Sequence, residues 1–128
     1  MKTMIRLLVI STLMFVAAPA WSDAAIHLFH CELEDEAHDD ALEAIASKWL
    51  EVARGLPGGE NVQANLYFPI AADMGEKDFI FMVITPTFAE MGAFLDAYAD
   101  SPLEDVDDDF DKLAVCPDST MWESIAVE

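Results

Sequence analysis

VQANLYFPIAADMGEKDFIFMVIT, residues 62–85, is the stretch on which the fold turns. In residues 62–70, Val62, Ala64, Leu66 and Phe68 fall on one side of an extended segment, and Gln63, Asn65 and Tyr67 fall on the other. That is the pattern of a strand with one core side. Residues 71–77 are small and charged, the composition of a connection. Residues 78–85, DFIFMVIT, are apolar on both faces and therefore predict a strand inside a sheet. Two strands thus follow each other with no helix between them.

A helix is expected on either flank of this pair. Upstream, Leu42, Ile45, Trp49, Val52 and Leu56 recur at helical spacing. Asp40 with Glu43 predicts a capping box at the start of that helix, and Gly55 with Pro57, Gly58 and Gly59 predicts its stop. Residues 25–33, AIHLFHCEL, precede it as a strand covered on both faces. Downstream, Thr87 and Glu90 form a second capping box, opening a helix through Phe88, Met91, Phe94, Leu95 and Tyr98. Ser101-Pro102-Leu103-Glu104 repeats the device, and Leu103, Val106, Phe110 and Leu113 mark one face. Cys116-Pro117-Asp118 is expected to break this helix before a last strand at residues 120–127, TMWESIAV.

The resulting order, β-α-β-β-α(α)-β, specifies an α+β fold: a ferredoxin-like βαββαβ sandwich, with an antiparallel four-stranded sheet ordered 4-1-3-2 and helices on one face. In that order strands one and four are antiparallel neighbours, which brings Cys31 beside Cys116. These are the only two cysteines, and they form no CxxC, haem-attachment or zinc spacing. A structural disulfide between them is therefore expected, stabilising by about 4–5 kcal/mol on the chain-entropy argument.

The chain ends point to export. Residues 1–20 carry Lys2 and Arg6, then an apolar run, then Ala18-Pro19-Ala20, in the order of a secretory signal peptide. Cleavage is expected after Ala20, with Ser22 and Ala24 as later options. A membrane anchor needs roughly 18 continuous apolar residues, and Pro19 and Asp23 close this run early. Residues 21–128 then form a single domain, periplasmic or secreted. Removing the leader takes two of the six basic residues and none of the 25 acidic ones, leaving a formal charge of −21. That field repels phosphate backbones and anionic lipids, which argues against nucleic-acid binding and against membrane binding after cleavage.

Helices on one face leave the other face of the sheet to solvent or to a partner. If Val62, Ala64, Leu66 and Phe68 face the helices, strand two presents Gln63, Asn65 and Tyr67 to the open side. Strand four presents Trp122 and Ser124, and strand one either His27 and Phe29 or Leu28 and His30. Strand three offers Phe79, Phe81 and Val83 or, alternatively, Ile80, Met82 and Ile84. A face this apolar predicts a homodimer formed through the open sheet face.

In element order and length the chain resembles the dimeric α/β-barrel superfamily, which includes antibiotic-biosynthesis-type and haem-degrading monooxygenases. The resemblance covers nearly all of residues 21–128. It implies two sheets packed face to face, with a pocket in each subunit between sheet and helices or within the barrel. No family motif is matched, so no catalytic residue is carried over.

Gln63, Asn65, Tyr67, Trp122 and Ser124, with His27, are the candidates for a small organic ligand, because a few amides and hydroxyls among aromatics orient such molecules. No metal is expected: His27 and His30 point to opposite faces of a strand, and the acidic run from Asp105 to Asp111 lacks the glycine and glutamate of a calcium loop. With no nucleotide fingerprint or phosphate loop, no cofactor is expected. Export and a disulfide are unusual among the mostly cytosolic enzymes of that superfamily, which favours a small-molecule-binding or accessory protein over an enzyme. The alternatives are a cofactor-independent monooxygenase-like enzyme acting on a planar organic substrate, and a stress-protective protein whose acidic surface is the working part.

Overall fold

The computed structural model describes residues 23–34, 37, 39–71 and 73–127. The expected signal segment, residues 1–20, and His38 lie outside the described residues. The elements run β1 (Ala24–Leu33), α1 (Asp39–Ala53), β2 (Gln63–Tyr67), β3 (Asp78–Thr85), α2 (Phe88–Tyr98), α3 (Leu103–Phe110) and β4 (Ala114–Ser124). All strand pairs are antiparallel in one sheet ordered β2-β3-β1-β4, the expected order counted from the opposite edge.

Alternation in β3 separates the two faces of the sheet. Phe79, Phe81, Val83 and Thr85 are buried beneath the helices, while Ile80, Met82 and Ile84 are only half-buried on the open side. Register carries this choice to β1. His27 and Phe29 lie opposite Val83 and Phe81 on the helix side, and Leu28 and His30 lie opposite Met82 and Ile80 on the open side. Both alternatives left by the sequence are thereby resolved. Thr85, fully buried, satisfies its hydroxyl by donating to the Thr87 carbonyl at 2.8 Å.

The helices pack somewhat differently from their sequence patterns. The buried stripe of α1 is Leu42, Ala46, Trp49 and Ala53, with Ile45 and Val52 on its flank; Leu56, expected on the same stripe, packs against the core from beyond the helix end. Two alanines let the helix approach closely, and a large-residue pattern does not register them. Asp40 lies in the first turn rather than at the cap, where its charge still complements the helix dipole. Thr87 caps α2 as expected, accepting from the Glu90 N–H at 3.1 Å. Leu113 falls beyond α3, which ends at Phe110.

Strand boundaries need two corrections. β2 runs only from Gln63 to Tyr67, so Val62 and Phe68 lie outside it, although Val62 is fully buried and the Phe68 ring still meets Phe79 at 5.9 Å. β4 begins at Ala114 and ends at Ser124, so the last strand is not residues 120–127 and Cys116-Pro117-Asp118 is no breaker. Pro117 is tolerated because β4 is an edge strand and carries a bulge there. Between the pairs His30↔Asp118 and Glu32↔Val115, the two residues Cys116 and Pro117 oppose the single residue Cys31. At this irregularity Cys31 and Cys116 form the disulfide.

The turn from α1 to β2 wedges against α2. Gly58 has φ +77°, and a Cβ there would collide with the Glu90 carbonyl oxygen and the Phe94 backbone nitrogen. Gly58→Ala is expected to lower unfolding stability by about 1–3 kcal/mol. Removing the disulfide, which joins residues 85 apart, is expected to cost about 2–5 kcal/mol. Urea denaturation of the Gly58→Ala variant and of the reduced protein checks both, and unchanged midpoints would contradict them.

Candidate functional site

The structure divides the sequence-predicted site residues into separate groups. Gln63, Asn65 and Tyr67 lie on the open face at the β2 edge, opposite Ile84, Met82 and Ile80, and all three are exposed. Trp122 and Ser124 lie on the same face at the β4 edge, opposite Ile26 and Ala24. The indole N–H of Trp122 donates to Thr120 Oγ1 at 2.8 Å. Two strands separate these edges, so the groups stand about 14 Å apart at the usual interstrand spacing. Within one protomer they do not converge on one small molecule. His27 lies across the sheet from both groups, on the helix side.

That helix side contains a cavity of about 420 Å³ between the sheet and α2 and α3. Its wall is a chain of rings that starts at His27, tilted against Phe29 with ring centres 4.1 Å apart. Phe29 meets Phe81, Phe81 meets the edge of Trp49 at 5.1 Å, and Trp49 meets Phe94 at 5.9 Å. Phe94 leads to Tyr98 at 5.8 Å, and Phe110 closes against Phe81 at 5.6 Å. Such a volume, apolar with a few polar groups, suits a small organic molecule.

The polar groups come from two helices. The Tyr98 hydroxyl on α2 donates to Asp107 Oδ2 on α3. Burial, foremost, pushes the Asp107 carboxyl above its usual range; hydrogen bonds from Tyr98 and Trp49 work against that rise, and the nearby carboxylates of Asp111 and Asp108 add to it. Burial and the hydrogen bond to Asp107 likewise push the Tyr98 phenol well up. Burial also holds the His27 imidazole below its ordinary value, favouring the neutral ring. The other charges of α3 face outward: Asp109 pairs with Lys112 at 2.8 Å and with Lys48 at 3.5 Å.

Asp107 and Tyr98 were not among the residues singled out for a ligand. A signal for them exists in the sequence. Leu103, Asp107 and Phe110 stand at i, i+4 and i+7, so Asp107 interrupts the core stripe of α3 instead of belonging to the solvated acidic run. Tyr98 ends the apolar face of α2, and a half-buried tyrosine needs a partner for its hydroxyl. Their pairing across two helices depends on tertiary packing. Asn65 also borders a shallower depression of about 290 Å³ between α1 and β2. Among the described residues no group of three or more histidine, cysteine, aspartate or glutamate side chains is arranged to hold a metal ion.

No protein-family model matches the chain, and no curated protein matches it by sequence. Solved structures do match. SnoaB, a cofactor-independent oxygenase from Streptomyces nogalater, superposes with a TM-score of 0.58 at 6% identity, over 83% of this chain and 97% of that one. A protein of unknown function from Bacteroides thetaiotaomicron, described as a possible oxidoreductase, gives 0.55 at 9% identity, over 80% and 99%. A hydroxynitrile lyase from Passiflora edulis gives 0.53 at 11% identity, over 83% and 95%. At these identities the likeness establishes the fold, ferredoxin-like α+β, and the differing activities show that this fold does not choose the chemistry.

Two titrations test the electrostatics of the cavity. Because the folded pKa of His27 lies below its ordinary 6.5, its contribution to stability is intact above pH 6.5. It is lost as pH falls through that value, where the unfolded chain takes up the proton first. Stability against pH should therefore decline on this acid limb, less steeply in His27→Gln. In Tyr98→Phe, the Asp107 carboxyl should titrate higher still, having lost a donor to its charged form. Carbon-13 NMR of the side-chain carboxyls reads this directly, and an unmoved or lower value contradicts the assigned hydrogen bond.

Proposed function

We propose that this chain is an exported, homodimeric small-molecule-binding protein, with its ligand in the helix-side cavity and its open sheet face against a second copy. The observation that carries this reading is the cavity itself. Five other aromatic side chains and a histidine surround a Tyr98–Asp107 pair, a distribution of apolar walls and few polar groups that suits a flat organic ligand.

Support for the partner comes from the other face. Ile26, Leu28, Ile80, Met82 and Ile84 lie there under no helix, and Trp122 at the edge is 56% exposed. Gln63, Asn65, Tyr67, Trp122 and Ser124 then provide the polar and aromatic groups of the interface. Across a two-fold axis, residues that stand apart in one protomer can approach those of the partner and pair with them. Export is supported by the pattern of residues 1–20 and by the disulfide, which suits an oxidising compartment. Among the described residues no helix is long and apolar enough to cross a membrane.

A second reading, a cofactor-independent oxygenase-like enzyme, draws on one specific observation. His27 is held neutral inside the aromatic cavity, the state in which an imidazole accepts a proton from a bound acidic substrate. SnoaB supplies the precedent for oxygen chemistry on this fold without a cofactor. Oxygen consumption with quinol-like substrates, abolished in His27→Ala, favours the enzyme; binding without turnover favours the first reading.

Leu95, 41% exposed, lies at the edge of the cavity lining. Leu95→Trp should narrow the mouth without disturbing the core. In an NMR screen of small aromatic compounds, ligands are expected to shift the Trp49 indole signal in the parent protein and to lose at least about tenfold in affinity in Leu95→Trp. A dimeric scattering mass is expected for both proteins. Ligands that shift only Trp122, or bind both proteins equally, would place the site elsewhere.

A further inference from the structure

We propose that the ligand selected by the helix-side cavity is an organic cation, a protonated amine or quaternary ammonium group carried on a flat apolar body. The inference rests on the reading of the cavity as a binding site and adds the charge of its occupant.

Phe29, Trp49, Phe81, Phe94, Tyr98 and Phe110 surround the space with rings. An aromatic ring is negative over its faces, so a cage of rings attracts a cation that sheds its water readily. The charged groups agree in sign. Asp107 and Asp111 are the ionisable acids of the lining, and no lysine or arginine belongs to it. Lys48 and Lys112, the cations near α3, are both engaged by Asp109 on its outer side. Tyr98 satisfies one Asp107 oxygen with a hydrogen bond, but a neutral donor does not cancel the carboxylate charge. His27 brings no compensating charge, since burial favours its neutral form.

Other ligand classes fit less well. An anion meets half-buried Asp107 in the wall, exposed Asp111 at its rim and a chain of formal charge −19 outside. A neutral aromatic fills the volume but leaves the half-buried carboxylate without a countercharge. A hard metal ion wants clustered oxygen ligands, and none are grouped among the described residues. An organic cation uses the rings and the carboxylate together. The upward push on Asp107 from burial and its acidic neighbours is the strain such a cation relieves.

Three probes of one shape separate these cases: phenyltrimethylammonium, its uncharged isostere tert-butylbenzene, and benzenesulfonate. Binding is measured by NMR titration of the disulfide-bonded protein, following the Trp49 indole. The ammonium probe is expected to bind at least about tenfold more tightly than the neutral one, with no binding of the sulfonate. In Asp107→Asn, which keeps an acceptor for Tyr98, that preference should fall to within about twofold while tert-butylbenzene still binds. Asp111→Asn, at an exposed position, should reduce it partly and serves as the second variant should the first fold poorly. Asp118→Asn, which removes the same charge from the opposite face of the sheet, should leave it unchanged. Preference should also survive about 0.5 M salt, since partly buried pairs are screened less than surface charge. Equal binding of ammonium and neutral probes overturns the inference and leaves the cavity reading standing. A preference insensitive to both Asp107→Asn and Asp111→Asn, or abolished by salt, assigns it to the acidic surface and also overturns the inference. Failure of every probe to shift Trp49 overturns both.

Discussion

The register of β1 between β3 and β4 determines what each face of this molecule can do. A strand repeats every two residues, so a slip of one would turn His27 and Phe29 out of the cavity and bring Leu28 and His30 in. Two features hold the register. β1 is hydrogen-bonded along both edges, and the Cys31–Cys116 bond ties it to β4 at the bulge where two residues of β4 oppose one of β1. Beyond the bulge β4 resumes pairing one residue out of step, so Val115 faces Glu32 and Ala114 faces Leu33.

With that register set, both faces of the sheet are largely apolar along the central strands β1 and β3, but three helices attend to only one. On the helix side, Phe79, Phe81 and Val83 are buried under α1, α2 and α3, yet the cover is incomplete and a ring-lined space remains. The two helices beside that space each contribute a polar group, which meet as the Tyr98–Asp107 pair. An ionisable group in such surroundings lowers stability relative to a well-packed apolar pair, and groups retained at such a cost are frequent at binding sites. On the other side, Ile80, Met82 and Ile84 rely on flanking strands for partial shelter. The acidic surface fits the same account, because a molecule with an apolar open face is kept from indiscriminate aggregation by strong like charge elsewhere.

Much of the fold was legible in the sequence because it is written in periodicity. The alternation in residues 62–67, the apolar run of residues 78–85 and the Thr87–Glu90 cap each have a local cause, and the two cysteines tie together strands that the topology makes neighbours. Boundaries failed where tertiary context outweighs local chemistry. Pro117 reads as a breaker but is harmless on a bulged edge strand, and the stripe of α1 runs through Ala46 and Ala53, which carry little hydrophobic signal. The candidate residues followed the open face, and there the amides and aromatics do share one side. That β2 and β4 form opposite edges was implicit in the strand order, and with it the separation of Asn65 from Trp122. Asp107 was obscured by its neighbours: inside a run of five aspartates from Asp105 to Asp111, one pointing inward has no compositional mark, only its place on the helical stripe.

β1 turns His27 toward the helices, and a nuclear Overhauser spectrum of the folded, oxidised protein reads that orientation. His27 lies opposite Val83 and Met121 and packs against Phe29, while Trp122 and Ile84 lie across the sheet beside Ile26. The account predicts cross-peaks from the His27 ring to the Phe29 ring, the Val83 methyls and the Met121 methyl. Cross-peaks from that ring to Trp122 and Ile84 instead would reverse the faces of the sheet and remove the cavity as its working site.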